Sequence, residues 1–170
     1  SPSHWSSDFD AMEVLNDGHY ADYLPYFLDL VSRGYGTVPV GVSDSHSSEA
    51  GTGVNLTFVH VGDASGDTPS LVAGGVKEGR TVVSRGPYIH ATIGGEWAPG
   101  RLFEGPSSLE VSLYAPSWIL VDRLELLRNG EVVEAAAVEG DASGLRSEHL
   151  FSLDAGSDAH YVLIASGSTP

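Results

Sequence analysis

Val38-Pro39-Val40-Gly41-Val42 leads directly into Ser43-Asp44-Ser45-His46-Ser47. A short apolar run closed by a polar cluster reads as a buried strand delivering its last residues at its carboxyl end. In an extended chain, residues i and i+2 point to the same face, with Cα atoms about 6–7 Å apart. Asp44 and His46 are therefore spaced to converge on one cation, or on two neighbouring ones. Upstream, Leu24, Phe27, Leu28 and Val31 recur at helical spacing. Asp22 is placed to cap that helix, Pro25 is tolerable in its first turn, and Gly34 fits just past its end. Before it, Ala11-Met12-Glu13-Val14-Leu15 is another short apolar segment, closed by the turn cluster Asn16-Asp17-Gly18. Strand, helix, strand suggests a parallel unit, and ligands in such folds gather at the carboxyl ends of strands. The expectation for the front of the chain is α/β.

Farther along, Leu56–Val61 is a third apolar run, and Pro69–Glu78 is a short helix weakened by Gly74 and Gly75. From about Gly86 the pattern changes to period two. Tyr88–Ile93, Leu109–Tyr114, Leu124–Leu127, Val132–Ala136, Leu150–Leu153 and Tyr161–Ala165 read as strands, with the hairpin signal Asn129-Gly130 between two of them. Short strands with turns at regular intervals suggest an antiparallel β-sandwich. The expected organisation is an α/β segment over residues 1–86 followed by an all-β domain over 87–170.

Bulk properties narrow the function. With 23 acidic and 8 basic residues the formal charge is −15, and Lys77 is the one lysine. Such a surface repels phosphate backbones, so a nucleic-acid partner is not expected. No apolar run reaches the roughly 18 residues of a membrane span. Cysteine is absent, which removes disulfides and thiolate ligands and leaves the compartment open. The chain does not begin with Met and shows no signal peptide, which suggests a processed product or a fragment.

The candidate chemistry is concentrated in few residues. Asp44 and His46 are candidate metal ligands; the alternative is a polar strand end, with Asp44 capping the next turn and His46 hydrogen-bonded. A nucleophilic arrangement with Ser43, Ser45, Ser47 or Ser48 is a further option. Glu13 is an acid within an apolar run, facing either the same cleft or water. Arg80 and Arg85 flank a short apolar segment, where they can hold an anionic substrate or pair with the protein's own acids. Asp63-x-Ser65-x-Asp67 imitates the start of a calcium loop but has Gly74 where the closing Glu belongs, so a solvated loop is expected. Asn55-Leu56-Thr57 fits a glycosylation acceptor. Trp97 and Trp118 are expected in core packing, or as an exposed pair that binds sugar.

Taken in order, several pieces resemble a known family. They are Phe9–Asn16, Gly41–Ser47, Gly79-Arg80-Thr81-Val82-Val83-Ser84-Arg85-Gly86-Pro87, Ala115-Pro116-Ser117-Trp118 and Val121–Gly130. Together they resemble the carboxyl-terminal part of the carbaryl-hydrolase-like (CehA/McbA-type) metallohydrolases of the PHP superfamily. The resemblance implies a remnant of a PHP-type α/β barrel followed by a β-sandwich. It implies Asp44 and His46 as the last ligands of a multi-metal centre of Zn, Mn or Fe. It also implies hydrolysis of a phosphoester, carbamate, amide or ester in a small-molecule substrate. The family's other ligands include an upstream His-x-His, which this chain lacks; His4 is its nearest imitation. The chain alone is therefore expected to be inactive, with an amino-terminal segment or an oligomeric partner completing the site. The alternative is a non-enzymatic β-sandwich that binds carbohydrate or a protein partner on a small α/β scaffold.

Overall fold

The computed structural model describes residues 8–16, 20–49, 51–62, 65–154 and 156–167. The chain divides into two compact units, Ser1–Val83 and Ser84–Pro170. The first unit begins with β1 (Ala11–Asn16), α1 (Tyr20–Ser32) and β2 (Val38–Val42), and β1 and β2 pair in parallel. The register slips between Glu13 and Leu15. That irregularity lets Val14 and Leu15 bury side by side while Glu13 turns to water. Helix α1 packs on β1 and buries Phe27 and Leu30. The helix starts early enough that Asp22 lies in its first turn rather than at its cap. It ends as anticipated: Gly34 has φ 81°, Tyr35 N donates to Leu30 O at 3.1 Å, and Gly34 N donates to Val31 O at 2.9 Å. These two bonds satisfy the last carbonyls of the helix, and only a residue free of a Cβ adopts that φ at no cost.

The unit continues with β3 (Leu56–Val59), α2 (Thr68–Lys77) and β4 (Thr81–Ser84), with β3 paired to β4. Asp67, the third residue of the calcium-like triplet, is the N-cap of α2. Its carboxylate accepts from Ser70 N at 3.1 Å and from Ser70 Oγ at 2.7 Å. The Ser70 hydroxyl, and then its amide, hold the Asp67 carboxyl below the usual carboxylate range. Gly75, which weakens α2 on propensity, is required by packing: an added Cβ would stand 2.4 Å from Val59 Cγ1.

The expected class, an α/β barrel remnant followed by an all-β domain, is corrected by this architecture. The described residues form eleven strands and two helices, mostly in antiparallel sheets, and no barrel remnant is present among them. The parallel ladder stops after one pair because side chains occupy the next edge. The Thr57 hydroxyl accepts from Gly41 N at 2.8 Å and donates to Gly41 O at 3.0 Å. Asn55 Nδ2 donates to Val42 O at 2.8 Å, and the Thr81 hydroxyl donates to Pro39 O at 3.0 Å. Pro39 itself offers no N–H. The polar groups of β2 on that side are thus spent without a third parallel strand. Gly41 makes the close approach possible, since a Cβ there would lie 2.9 Å from Leu56 O.

The second unit is built from two antiparallel sheets. One has the order β10 (Gly144–Leu153), β7 (Ser107–Ala115), β5 (Tyr88–Ile93) and β6 (Glu96–Trp97). The other has the order β11 (Tyr161–Ser166), β8 (Arg123–Arg128) and β9 (Glu131–Ala137). Alternate residues of β7 turn inward, and Leu113, Leu124, Leu126 and Phe151 from both sheets are fully buried in one shared core. Asn129 (φ 53°) and Gly130 (φ 85°) form the two-residue turn between β8 and β9. His160 pins that turn: Asn129 N donates to His160 O, and His160 N donates to Asn129 Oδ1, both at 3.0 Å.

One cation lies inside this unit. Arg146 is 8% exposed, and its guanidinium bonds four carbonyls rather than a carboxylate. Nε donates to Ala115 O at 3.3 Å, Nη1 to Gly140 O at 2.5 Å, and Nη2 to Pro116 O at 2.6 Å and Ile119 O at 3.3 Å. Removing it strands buried acceptors, each costing about 1–3 kcal/mol. Arg146→Met should therefore lower stability by about 3 kcal/mol or more, read as a fall in the urea midpoint, and Arg146→Lys should recover only part of the loss. An unchanged midpoint in Arg146→Met would refute this role.

His160 provides a second check. Its Nε2 is enclosed without a hydrogen-bond partner, and burial lowers the imidazole pKa below its ordinary value. The unfolded chain therefore takes up this proton first as pH falls. The related stability is complete above the ordinary histidine value, about 6.5, and is lost as pH falls through the lowered folded value. An NMR titration should place the His160 midpoint below about 6.5; a midpoint above it would contradict the stated burial effect.

Candidate functional site

Strand β2 ends at Val42, and the chain then loops through Ser43–Glu49. Two serines of the candidate motif serve the loop itself. Ser43 Oγ accepts from Gly53 N at 2.7 Å, and Ser45 Oγ donates to Gly51 O at 3.1 Å. They fold the loop back on residues 51–53 and are engaged there, which speaks against either as a nucleophile. Between them, Asp44 takes φ 47°, a left-handed conformation that Asp tolerates better than most residues. That turn brings the two candidate ligands together: His46 Nε2 lies 2.7 Å from Asp44 Oδ1. The pair is open to water, with the His46 side chain 84% and the Asp44 side chain 47% exposed.

Of the remaining candidates, Glu13 and Arg80 are engaged elsewhere. Glu13 is exposed and its Oε2 accepts from Asn16 Nδ2 at 2.7 Å. Arg80 lies 3.3 Å from Glu78 Oε2 in an ion pair and receives no anion from the Asp44 loop among the contacts described. Arg85 is exposed and belongs to the second unit. His4 lies outside the described residues. Asn55 is 3% exposed with its amide committed to Val42 O, a buried setting that does not suit a glycosylation acceptor. Its Oδ1 is enclosed without a partner, which leaves one unspent polar oxygen at the foot of the loop.

The donor set can be compared with what a divalent cation requires. Two atoms each about 2.0–2.2 Å from one tetrahedral ion stand about 3.3–3.6 Å apart. The 2.7 Å separation of Asp44 Oδ1 and His46 Nε2 is that of a hydrogen bond, so the pair fits as two ligands of one ion once its exposed side chains part by about 0.6 Å. It does not fit as a whole centre. Among the described residues, no group of three or more His, Asp or Glu side chains stands together to hold a metal. The arrangement is chemically a carboxylate–imidazole pair that shares one proton or one cation.

Two groupings were not anticipated from the sequence. One is the Arg146 clamp. The other is the aromatic and acidic face of the β10-β7-β5-β6 sheet, where Tyr88 meets Tyr114 and His90 meets Trp97. The signal for the face was the period-two alternation of β5 and β7, which separates outward from inward residues once the register is known. Trp97 is half-buried on β6, and Trp118 sits 80% exposed on the turn after β7; they do not form one stacked pair. No helix among the described residues is long and apolar enough to cross a membrane. Comparison with protein-family models, with curated proteins and with solved structures finds no significant match to this chain.

Proposed function

We propose that this chain contributes Asp44 and His46 to the divalent-metal centre of a PHP-type hydrolase, with Zn, Mn or Fe as the ion. The observation that carries the reading is the 2.7 Å approach of Asp44 Oδ1 and His46 Nε2 at the carboxyl end of a parallel strand. Asp44 supplies negative charge that offsets the cation, and His46 supplies a neutral nitrogen. Ser43 and Ser45 hold the loop that sets their separation. The metal, when bound, would lower the pKa of a water molecule and polarise a phosphoryl or carbonyl oxygen of the substrate. Two ligands are fewer than the three a catalytic zinc takes from protein. The described residues supply only this pair, so on this reading an upstream segment or a partner completes the centre, and the chain alone is expected not to turn over substrate.

Because protons and cations compete for the same lone pairs, metal binding at the pair weakens as pH falls. Zinc added to the 170-residue chain should shift the His46 imidazole resonances, and Asp44→Ala should weaken that response at least about tenfold. A longer chain that includes a His-x-His segment should lose bound metal in both Asp44→Ala and His46→Ala. Unchanged metal content in both variants would sink the ligand assignment. Hydrolysis of a generic phosphoester at enzyme-like rates by this chain alone would show that the site is complete without further ligands.

A further inference from the structure

The β10-β7-β5-β6 sheet buries one face in the core, and its opposite face carries aromatic and acidic side chains. The register sorts the outward residues into rows. Tyr88 stands opposite Tyr114, with ring centroids 6.3 Å apart. Two residues along, His90 is opposite Ser112, which is opposite Glu148 on β10. The next row holds Thr92 and Glu110, whose Oε2 accepts from the Thr92 hydroxyl at 3.0 Å. Trp97 pairs with Thr92 from the β6 side, and its ring meets His90 edge-on at 5.7 Å. A shallow groove of about 520 Å³ follows these rows, and its lining includes His90, Thr92, Glu110, Ser112, Glu148 and the exposed Leu150 opposite Glu110.

Three properties of this face define its ligand. Aromatic rings bracket this stretch, the Tyr88–Tyr114 pair at one end and Trp97 against His90 at the other, over two to four residues or about 7–13 Å of strand at roughly 3.3 Å per residue. Between them lie the hydroxyls of Thr92 and Ser112 and the carboxylates of Glu110 and Glu148, groups that accept hydrogen bonds from ligand hydroxyls. The rows carry no Lys or Arg, in a chain of formal charge −15, so an anionic ligand is repelled. A ligand with apolar C–H faces for the rings, many hydroxyl donors for the acids and no negative charge matches all three.

We propose that the outer face of the β10-β7-β5-β6 sheet binds a neutral oligosaccharide, laid across β7 between the Tyr88–Tyr114 pair and Trp97. This site belongs to the second unit and stands independently of the metal reading of Asp44 and His46.

The test uses the whole 170-residue chain with cellohexaose, xylohexaose, mannohexaose and maltohexaose, followed by calorimetry and tryptophan fluorescence. At least one should bind, with Trp97 emission changing on titration. Tyr114→Ala should lower its affinity at least about tenfold, and Glu148→Gln, an exposed change that leaves packing intact, should lower it severalfold. Circular dichroism of each variant should match the parent. Asp44→Ala and added zinc should leave sugar affinity unchanged, which separates this result from the fate of the hydrolase reading. The proposal is overturned if none of the four binds at about 5 mM. It is equally overturned if binding survives both variants, or if an oligolysine peptide binds this face while the sugars do not.

Discussion

The second unit depends on one buried guanidinium. Two antiparallel sheets sharing a core still leave open ends where strands give way to loops, and such ends carry carbonyls that need donors. Arg146 meets that need at one end by gathering the carbonyls of Ala115, Pro116, Ile119 and Gly140 through four hydrogen bonds. In a chain so rich in acids, the partner is not a carboxylate but a ring of carbonyl dipoles. The charge is thereby spread without burying a second ion, which would itself require desolvation. The geometry also constrains the connection between β9 and β10: a Cβ on Gly140 would stand 2.5 Å from Arg146 O. The turn that carries Trp118 is thus anchored through its peptides while its side chain remains in water.

The first unit is joined differently. Its strands come in two pairs, and the seam between them is made by Asn55, Thr57 and Thr81 side chains in place of a ladder. The same seam sits directly below the Asp44 loop. Asn55 ties Val42, the last residue before the motif, and Ser43 and Ser45 tie the loop to residues 51–53. The backbone that carries Asp44 and His46 is therefore well braced, while their functional atoms stay exposed. Rigid support and open donors are what a ligand pair needs before its partners arrive.

Local signals carried much of this architecture. Gly34 marked a helix end, Asn129-Gly130 marked a hairpin, and the alternation in Leu109–Tyr114 marked a strand with one buried face. These depend on near neighbours, so they survive translation from sequence to structure. The barrel expectation failed because it required strands to continue across β2, and the residues that block continuation, Thr57 and Thr81, look like ordinary strand residues in sequence. Arg146 was equally silent: among eight basic residues nothing distinguishes the one that turns inward. The D-x-H spacing suggested that Asp44 and His46 meet, but through an extended strand. They meet instead through a left-handed Asp44, a backbone state that spacing alone does not encode.

Strand β9 lies at the edge of its sheet and exposes Val132 and Val133. An unpaired edge with neighbouring apolar side chains is a template for adding another strand. Here Glu131 stands exposed beside the valines, and Glu134 follows them with its carboxylate 3.2 Å from His149 Nε2, so a second copy arriving edge to edge brings Glu131 carboxylates into the acidic field of this chain. That guard acts through water and weakens as ions shorten its reach, from about 10 Å at 0.1 M to 3 Å at 1 M. The acidity of this chain therefore doubles as a colloidal safeguard, strongest in dilute buffer and weakest in brine.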